Sequence, residues 1–185
     1  MIQGYISKKN LSIKLLDVVH FLELMYEFRV RQVMYSIGIY SGLRISDILK
    51  LKVRDVKGKD SIKIREQKTG KERFFPINAT LKTIIDSYCQ DMKNWEYLIP
   101  SDRKATKAIS REYAYRVIHN AGLEFGLDHL GTHTLRKTFG YHFYMQTKDI
   151  VLLMKILNHN DQSKTLRYIG IEQTTINEAM KKFKY

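Results

Sequence analysis

Cysteine, proline, acidic side chains and long apolar runs are all scarce in this chain, and each scarcity excludes a class of protein. A single cysteine, Cys89, rules out an internal disulfide. Its place in the series Leu81, Ile84, Ile85, Tyr88, Cys89, Met92 predicts a core position on a helix, not a nucleophile. Only two prolines, Pro76 and Pro100, and few Gly/Ser clusters leave no stretch that reads as a domain-separating linker. No apolar run approaches the roughly 20 residues that a membrane span needs. Lys8, Lys9 and Lys14 interrupt the N-terminal stretch before any signal-like core develops. The expectation is a soluble, cytoplasmic protein that is not exported. There is no Gly-x-x-x-x-Gly-Lys phosphate loop, no paired-cysteine zinc spacing and no His-Glu-x-x-His. His129, His133 and His142 have no carboxylate or cysteine at helical spacing to complete a metal site, so neither metal nor other cofactor is expected.

Positive charge is what the chain has in excess. Its 32 Lys plus Arg outweigh 19 Asp plus Glu, for a net +13, which favours a polyanionic partner. Charge alone does not separate nucleic acid from an acidic membrane surface. At 185 residues one compact domain is expected. The predicted divisions are a basic lead-in over 1–16, a core over 17–170 and a C-terminal helix over 171–185.

Helical spacing runs through Val18, Phe21, Leu22, Met25 and again through Val30, Val33, Met34, Ile37, which predicts two helices before Ser41-Gly42. A short helix is expected from about Ile45 to Leu51. The pattern then changes to alternation, with Ile62 and Ile64 between Lys63 and Arg65, and Phe74, Phe75 and Ile77 beyond a polar Gln67–Lys71 segment. This predicts an antiparallel hairpin with Lys68 at its turn. The stretch from Lys50 to Arg73 holds ten Lys or Arg against Asp55, Asp60, Glu66 and Glu72. Helices are expected again at about 80–93, 110–125, 133–146, 149–158 and 162–169. A last one is signalled by Thr175-x-x-Glu178 as a capping box, with Ile176, Ala179, Met180 and Phe183 as its stripe. The fold class is therefore α+β, mainly helical, with one small antiparallel β-sheet.

Certain residue types along this frame suit phosphodiester chemistry. Arg44 follows a Ser-Gly turn and opens an apolar helix, and a guanidinium held there matches the charge on non-bridging phosphate oxygens. His133 and Arg136, three apart on a predicted helix, share a face. Read singly, each of these arginines is equally a surface ion-pair partner, His159 a helix C-terminal cap, and Tyr168 one of 12 tyrosines packed with its hydroxyl outward. Lys68 suits a general acid, but Lys71 suits it too. Asp47 reads as a carboxylate that orients an arginine or histidine, or as an ordinary surface group.

Five segments together are more specific than any one: Ser41-Gly42-Leu43-Arg44-Ile45-Ser46-Asp47, Lys68-Thr69-Gly70, His133-Thr134-Leu135-Arg136, Leu157-Asn158-His159 and Thr165-Leu166-Arg167-Tyr168-Ile169-Gly170. In this order and context they resemble the catalytic domain of tyrosine recombinases, which include phage integrases and Xer-type resolvases. The resemblance implies phosphate binding by Arg44, Arg136 and His159, proton transfer by Lys68 and His133, and attack by Tyr168 on double-stranded DNA. The product is then a 3′-phosphotyrosyl enzyme and a free 5′-hydroxyl, formed without metal or ATP. The C-terminal stripe suggests that residues 174–184 dock on a neighbouring subunit, coupling active sites in a homotetramer on paired DNA sites, or pack on their own subunit. Three departures stand out: only 43 residues precede Arg44, where the family usually has a separate N-terminal domain; Lys137 follows Arg136; and Asn158 precedes His159. A DNA-binding regulator that keeps the fold without recombining, and a nicking-closing topoisomerase, are the alternative readings.

Overall fold

The computed structural model describes residues 15–65, 70, 72–101, 104–127, 129–171 and 180–183. Lys68, Lys71 and the capping box at Thr175 to Glu178 lie outside them. Helix α1 runs unbroken from Leu15 to Ser41, in place of the two helices expected. The segment Tyr26-Glu27-Phe28-Arg29 between the two apolar series holds no glycine or proline to stop the hydrogen-bond ladder. Val30, Val33, Met34 and Ile37 on its C-terminal half are buried.

After Gly42 the chain makes α2 (Ile45–Ile48) and a 3-10 turn over Val53–Asp55. Helix α2 is one turn, shorter than expected. Strands β1 (Ser61–Arg65) and β2 (Glu72–Pro76) form the expected hairpin, with Ile62 opposite Phe75 and Ile64 opposite Arg73. Ile62 and Phe75 are buried, whereas Lys63 and Phe74 face outward. Helix α3 (Ala79–Tyr88) starts on the Asn78 side chain, which accepts from Leu81 N at 2.8 Å. It ends earlier than the sequence pattern suggests. Arg29 donates to Ser87 O at 2.7 Å, and Lys57 to Cys89 O at 2.7 Å and Gln90 O at 3.1 Å, so cations satisfy the carbonyls at its end. Cys89 sits there fully buried, and burial pushes its thiol pKa up to about 11, consistent with an inert core residue.

A second two-stranded sheet, β3 (Pro100–Ser101) with β4 (Lys104–Ala108), corrects the expectation of a single sheet. Lys-Ala-Thr-Lys-Ala has no apolar alternation to announce a strand, and proline at the start of β3 argues against one. Helices α4 (Arg111–Glu124), α5 (Thr134–Thr147), α6 (Ile150–Leu157) and α7 (Gln162–Tyr168) follow within a residue or two of their expected bounds. Ser110, Asp149 and Asp161 cap α4, α6 and α7 by accepting backbone N–H groups at 3.1, 2.8 and 2.7 Å.

Among the described residues, buried apolar side chains form two clusters. The larger joins α1 to α4 and the hairpin; the smaller is built on Leu153, Leu157 and Ile169, with Phe139 and Phe143 against it. Helix α5 lies between them, packing closely on α1 because Gly38 and Gly42 carry no side chain. A Cβ at Gly38 would stand 2.7 Å from Leu135, and one at Gly42, whose φ is +65°, would overlap the Phe139 ring. Among the described residues no helix is long and apolar enough to cross a membrane.

Candidate active site

The seam between the two clusters gathers the predicted groups. Arg136 is 2% exposed although it carries a full charge. Its Nη1 donates to Gly42 O at 2.5 Å and its Nη2 to Leu157 O at 2.6 Å, so one guanidinium ties the α1–α2 turn to the end of α6. Arg44 stands two residues beyond Gly42 as the N-cap of α2, with extended backbone. Arg44, Arg136 and His133 line one cavity of about 580 Å³, together with Thr132 and Arg111. Three guanidinium groups in one concavity form a strongly anion-attracting surface.

His133 is not inside α5, as the pattern suggested, but is its N-cap residue, with φ −84° and ψ −16°. The three-residue offset still brings it beside Arg136. Its pKa is held below the usual histidine value, first by burial and then by the positive charges of Arg111, Arg136, Lys137 and Arg44. A neutral imidazole results, able to accept a proton. Tyr168, the last residue of α7, places its hydroxyl 3.5 Å from His133 Nδ1, a long hydrogen bond. Burial raises the phenol pKa, opposed by the charges of Arg136 and Arg44 and by a hydrogen bond from Arg136. The ring meets His133 edge-on at 6.4 Å and His159 at 5.2 Å, and Lys137 Nζ lies 5.7 Å from its centroid.

His159 follows Asn158, which ends α6 in the left-handed conformation at φ 52°. Asparagine tolerates that conformation, so the turn forms without a glycine. The His159 N–H donates to Met154 O at 2.9 Å, as a helix-terminating turn requires. Its Nδ1 lies 3.1 Å from the buried Thr165 Oγ1, and that hydroxyl donates to Asp161 O at 2.6 Å. A hydroxyl has one hydrogen, so Thr165 accepts from His159, which fixes the Nδ1–H tautomer and leaves the lone pair on Nε2.

Arg44, His133, Arg136, His159 and Tyr168 thus converge, while Lys68 lies outside the described residues. Asp47 is not the surface group of one reading. It is 2% exposed, which excludes a surface role, and it lines a separate cavity of about 190 Å³ with Lys50, Lys63 and Arg65, under the hairpin. Sequence reasoning missed Arg111 and Gly140, and gave Thr165 a place in the Tyr168 segment but no role. A Cβ on Gly140 would stand 2.7 Å from Ile169 Cγ2, so this glycine lets the residue after Tyr168 seat against α5. His133, Arg136, Lys137 and Gly140 recur at 0, 3, 4 and 7, and that helical stripe was the available signal for Gly140. Nothing in the sequence distinguishes Arg111 from other helix-starting arginines.

Comparison with known proteins gives the family. The phage integrase family model matches residues 17–174. The probable integrase/recombinase YoeC of Bacillus subtilis (strain 168) is 52% identical over 150 residues, covering 81% of this chain and 82% of YoeC. Tyrosine recombinase XerA of Pyrococcus horikoshii is 32% identical over 147 residues, 78% of this chain but only 51% of XerA, so this chain spans about half the length of that relative. The post-cleavage complex of the XerH site-specific recombinase with palindromic difH has the same fold, with TM-score 0.69 and 20% identity, covering 96% of this chain and 56% of that one. With the model matching most of its length and the convergent groups lying inside the matched span, this chain belongs to the phage integrase family, the tyrosine recombinases.

Proposed function

We propose that this chain is a site-specific recombinase that cleaves and rejoins double-stranded DNA through a phosphotyrosyl intermediate. The observation that carries the reading is the meeting of the Tyr168 hydroxyl with neutral His133 and the buried Arg136 guanidinium at a cavity that also holds Arg44. In the proposed step Tyr168 Oη attacks the scissile phosphorus, and its proton passes to His133. Arg44, Arg136 and His159 hold the non-bridging oxygens as charge builds on them. The bond from phosphorus to the 5′ oxygen breaks, and that oxygen takes a proton from Lys68, the general acid that the family resemblance implies. One phosphodiester is exchanged for another, so the bond energy is kept for rejoining and no nucleotide triphosphate is consumed. His159 must carry both ring protons to donate to phosphate through Nε2, because Nδ1–H is committed to Thr165. The partners are duplex DNA and further copies of the chain, a tetramer on paired sites, acting in the cytoplasm.

The test is covalent capture. Fragmented genomic DNA from the source organism is incubated with the protein, denatured, and the protein-linked fragments are sequenced. Discrete junctions that disappear with Tyr168→Phe are expected. Specific DNA binding with no adduct would replace this reading with a regulator, and relaxation of supercoiled DNA at unrelated sites would replace it with a topoisomerase.

A further inference from the structure

The strand residue Arg73 stands outside the proposed catalytic set, yet its side chain crosses to the far side of the seam. Strand β2 is anchored in the larger core by Phe75, 5% exposed, and α6 in the smaller one by Leu153 and Leu157, both 0% exposed. Arg73 lies on the same strand face as Phe75, and its guanidinium carbon is 5.5 Å from that ring. From there its Nη2 donates to Lys155 O at 2.9 Å and Ile156 O at 2.7 Å, partners 82 and 83 residues away. The next carbonyl, Leu157 O, accepts from Arg136. Two arginines from opposite sides therefore satisfy three successive carbonyls of the last turn of α6, the end of the helix that favours positive charge. Asn158 and His159 follow directly. Arg73 and His159 also border a common cavity of about 430 Å³ with Asn158 and Asn160.

We infer that Arg73 is a positioning residue: by capping α6 from the hairpin side it sets where His159 presents its ring to the scissile phosphate. A guanidinium suits this because its donors are planar and fixed in direction, so the helix end is held in angle as well as in distance. The inference rests on the proposal that His159 binds phosphate, and the experiment separates the two. Single-turnover adduct formation is measured on a synthetic duplex bearing a junction recovered by covalent capture, for wild type, Arg73→Ala, His159→Ala and the double variant. Thermal unfolding accompanies each, and Arg73→Gln supplies a second variant should the alanine chain fail to fold. A displaced group costs roughly 10- to 100-fold in rate. The expected result is a loss of that order in each single variant, with the double variant within about twofold of His159→Ala, because both changes remove one interaction. Arg73→Lys, which keeps positive charge at the helix end, is expected to recover part of the rate. Wild-type rates in His159→Ala would sink the phosphate-binding reading and this inference with it. A loss in His159→Ala accompanied by a wild-type rate in Arg73→Ala, or by losses that multiply in the double variant, would overturn the positioning role alone.

Discussion

Replacing Gly140 by alanine should separate catalysis from folding more cleanly than removing any charged group. An alanine Cβ there would lie 2.7 Å from Ile169 Cγ2 and 3.5 Å from Leu157 Cδ1. Ordinary carbon contacts fall at about 3.5–4.0 Å, so Ile169 has to retreat by about 1 Å. Ile169 is 4% exposed and covalently follows Tyr168, so the phenol moves with it. Two opposing terms set the effect on stability. Alanine inside a helix gains about 1 kcal/mol over glycine, and overpacking a core costs about 1–3 kcal/mol. The net loss is about 0–2 kcal/mol, small enough for the chain to stay folded. The catalytic cost is larger, because a 1 Å misplacement of a reacting group lowers rates by about 100-fold. Urea unfolding and single-turnover adduct formation on the captured junction measure the two quantities side by side. Gly140→Ala cleaving within about twofold of wild type would show that the packing of Ile169 on α5 does not position Tyr168.

Other expectations follow from the same geometry. His133 has a folded pKa below its unfolded value of 6.5, so its neutral form is favoured by folding; its contribution to stability is full above about 6.5 and is lost as pH falls through the depressed folded value. Arg111 is the largest charged cause of that depression, so Arg111→Gln should move the acid limb of the cleavage pH profile to higher pH, and an unmoved limb would remove Arg111 from the site's electrostatics. Arg136→Ala strands the buried carbonyls of Gly42 and Leu157 and should cost about 2–4 kcal/mol in denaturant unfolding as well as abolishing cleavage, whereas an unchanged midpoint would deny its bridging role. Thr165→Val keeps the shape of the side chain but removes the acceptor for His159 Nδ1–H. It should cost about 1 kcal/mol in stability and lower the cleavage rate about 10-fold, with the ring's tautomer, read by ¹⁵N NMR, no longer held as Nδ1–H.

Local signals carried most of the architecture. Apolar residues at helical spacing located α3 to α7, and alternation through Ile62 and Ile64 located the first hairpin, because each pattern reports which side of an element faces away from water. The second hairpin was illegible because Lys104–Ala108 alternates nothing apolar. The two helices expected before Ser41 are one, α1, because two apolar series report burial and not an end to the hydrogen-bond ladder. Within the site, Arg44, His133, Arg136, His159 and Tyr168 were selected by order and context. Thr165, Arg111 and Gly140 were not, since their importance lies in what they touch.

Composition and motif order were enough to settle the α+β class, the basic character and the family. Only the folded chain decided that Arg136 gives two of its donors to Gly42 and Leu157, that Asp47 is buried at the edge of a cavity apart from Arg136, and that Arg73 reaches from one core to the helix end of the other. The reason is physical: periodicity encodes burial over a few neighbouring residues, whereas a hydrogen bond between groups 82 or 94 positions apart exists only once two separately packed cores have met.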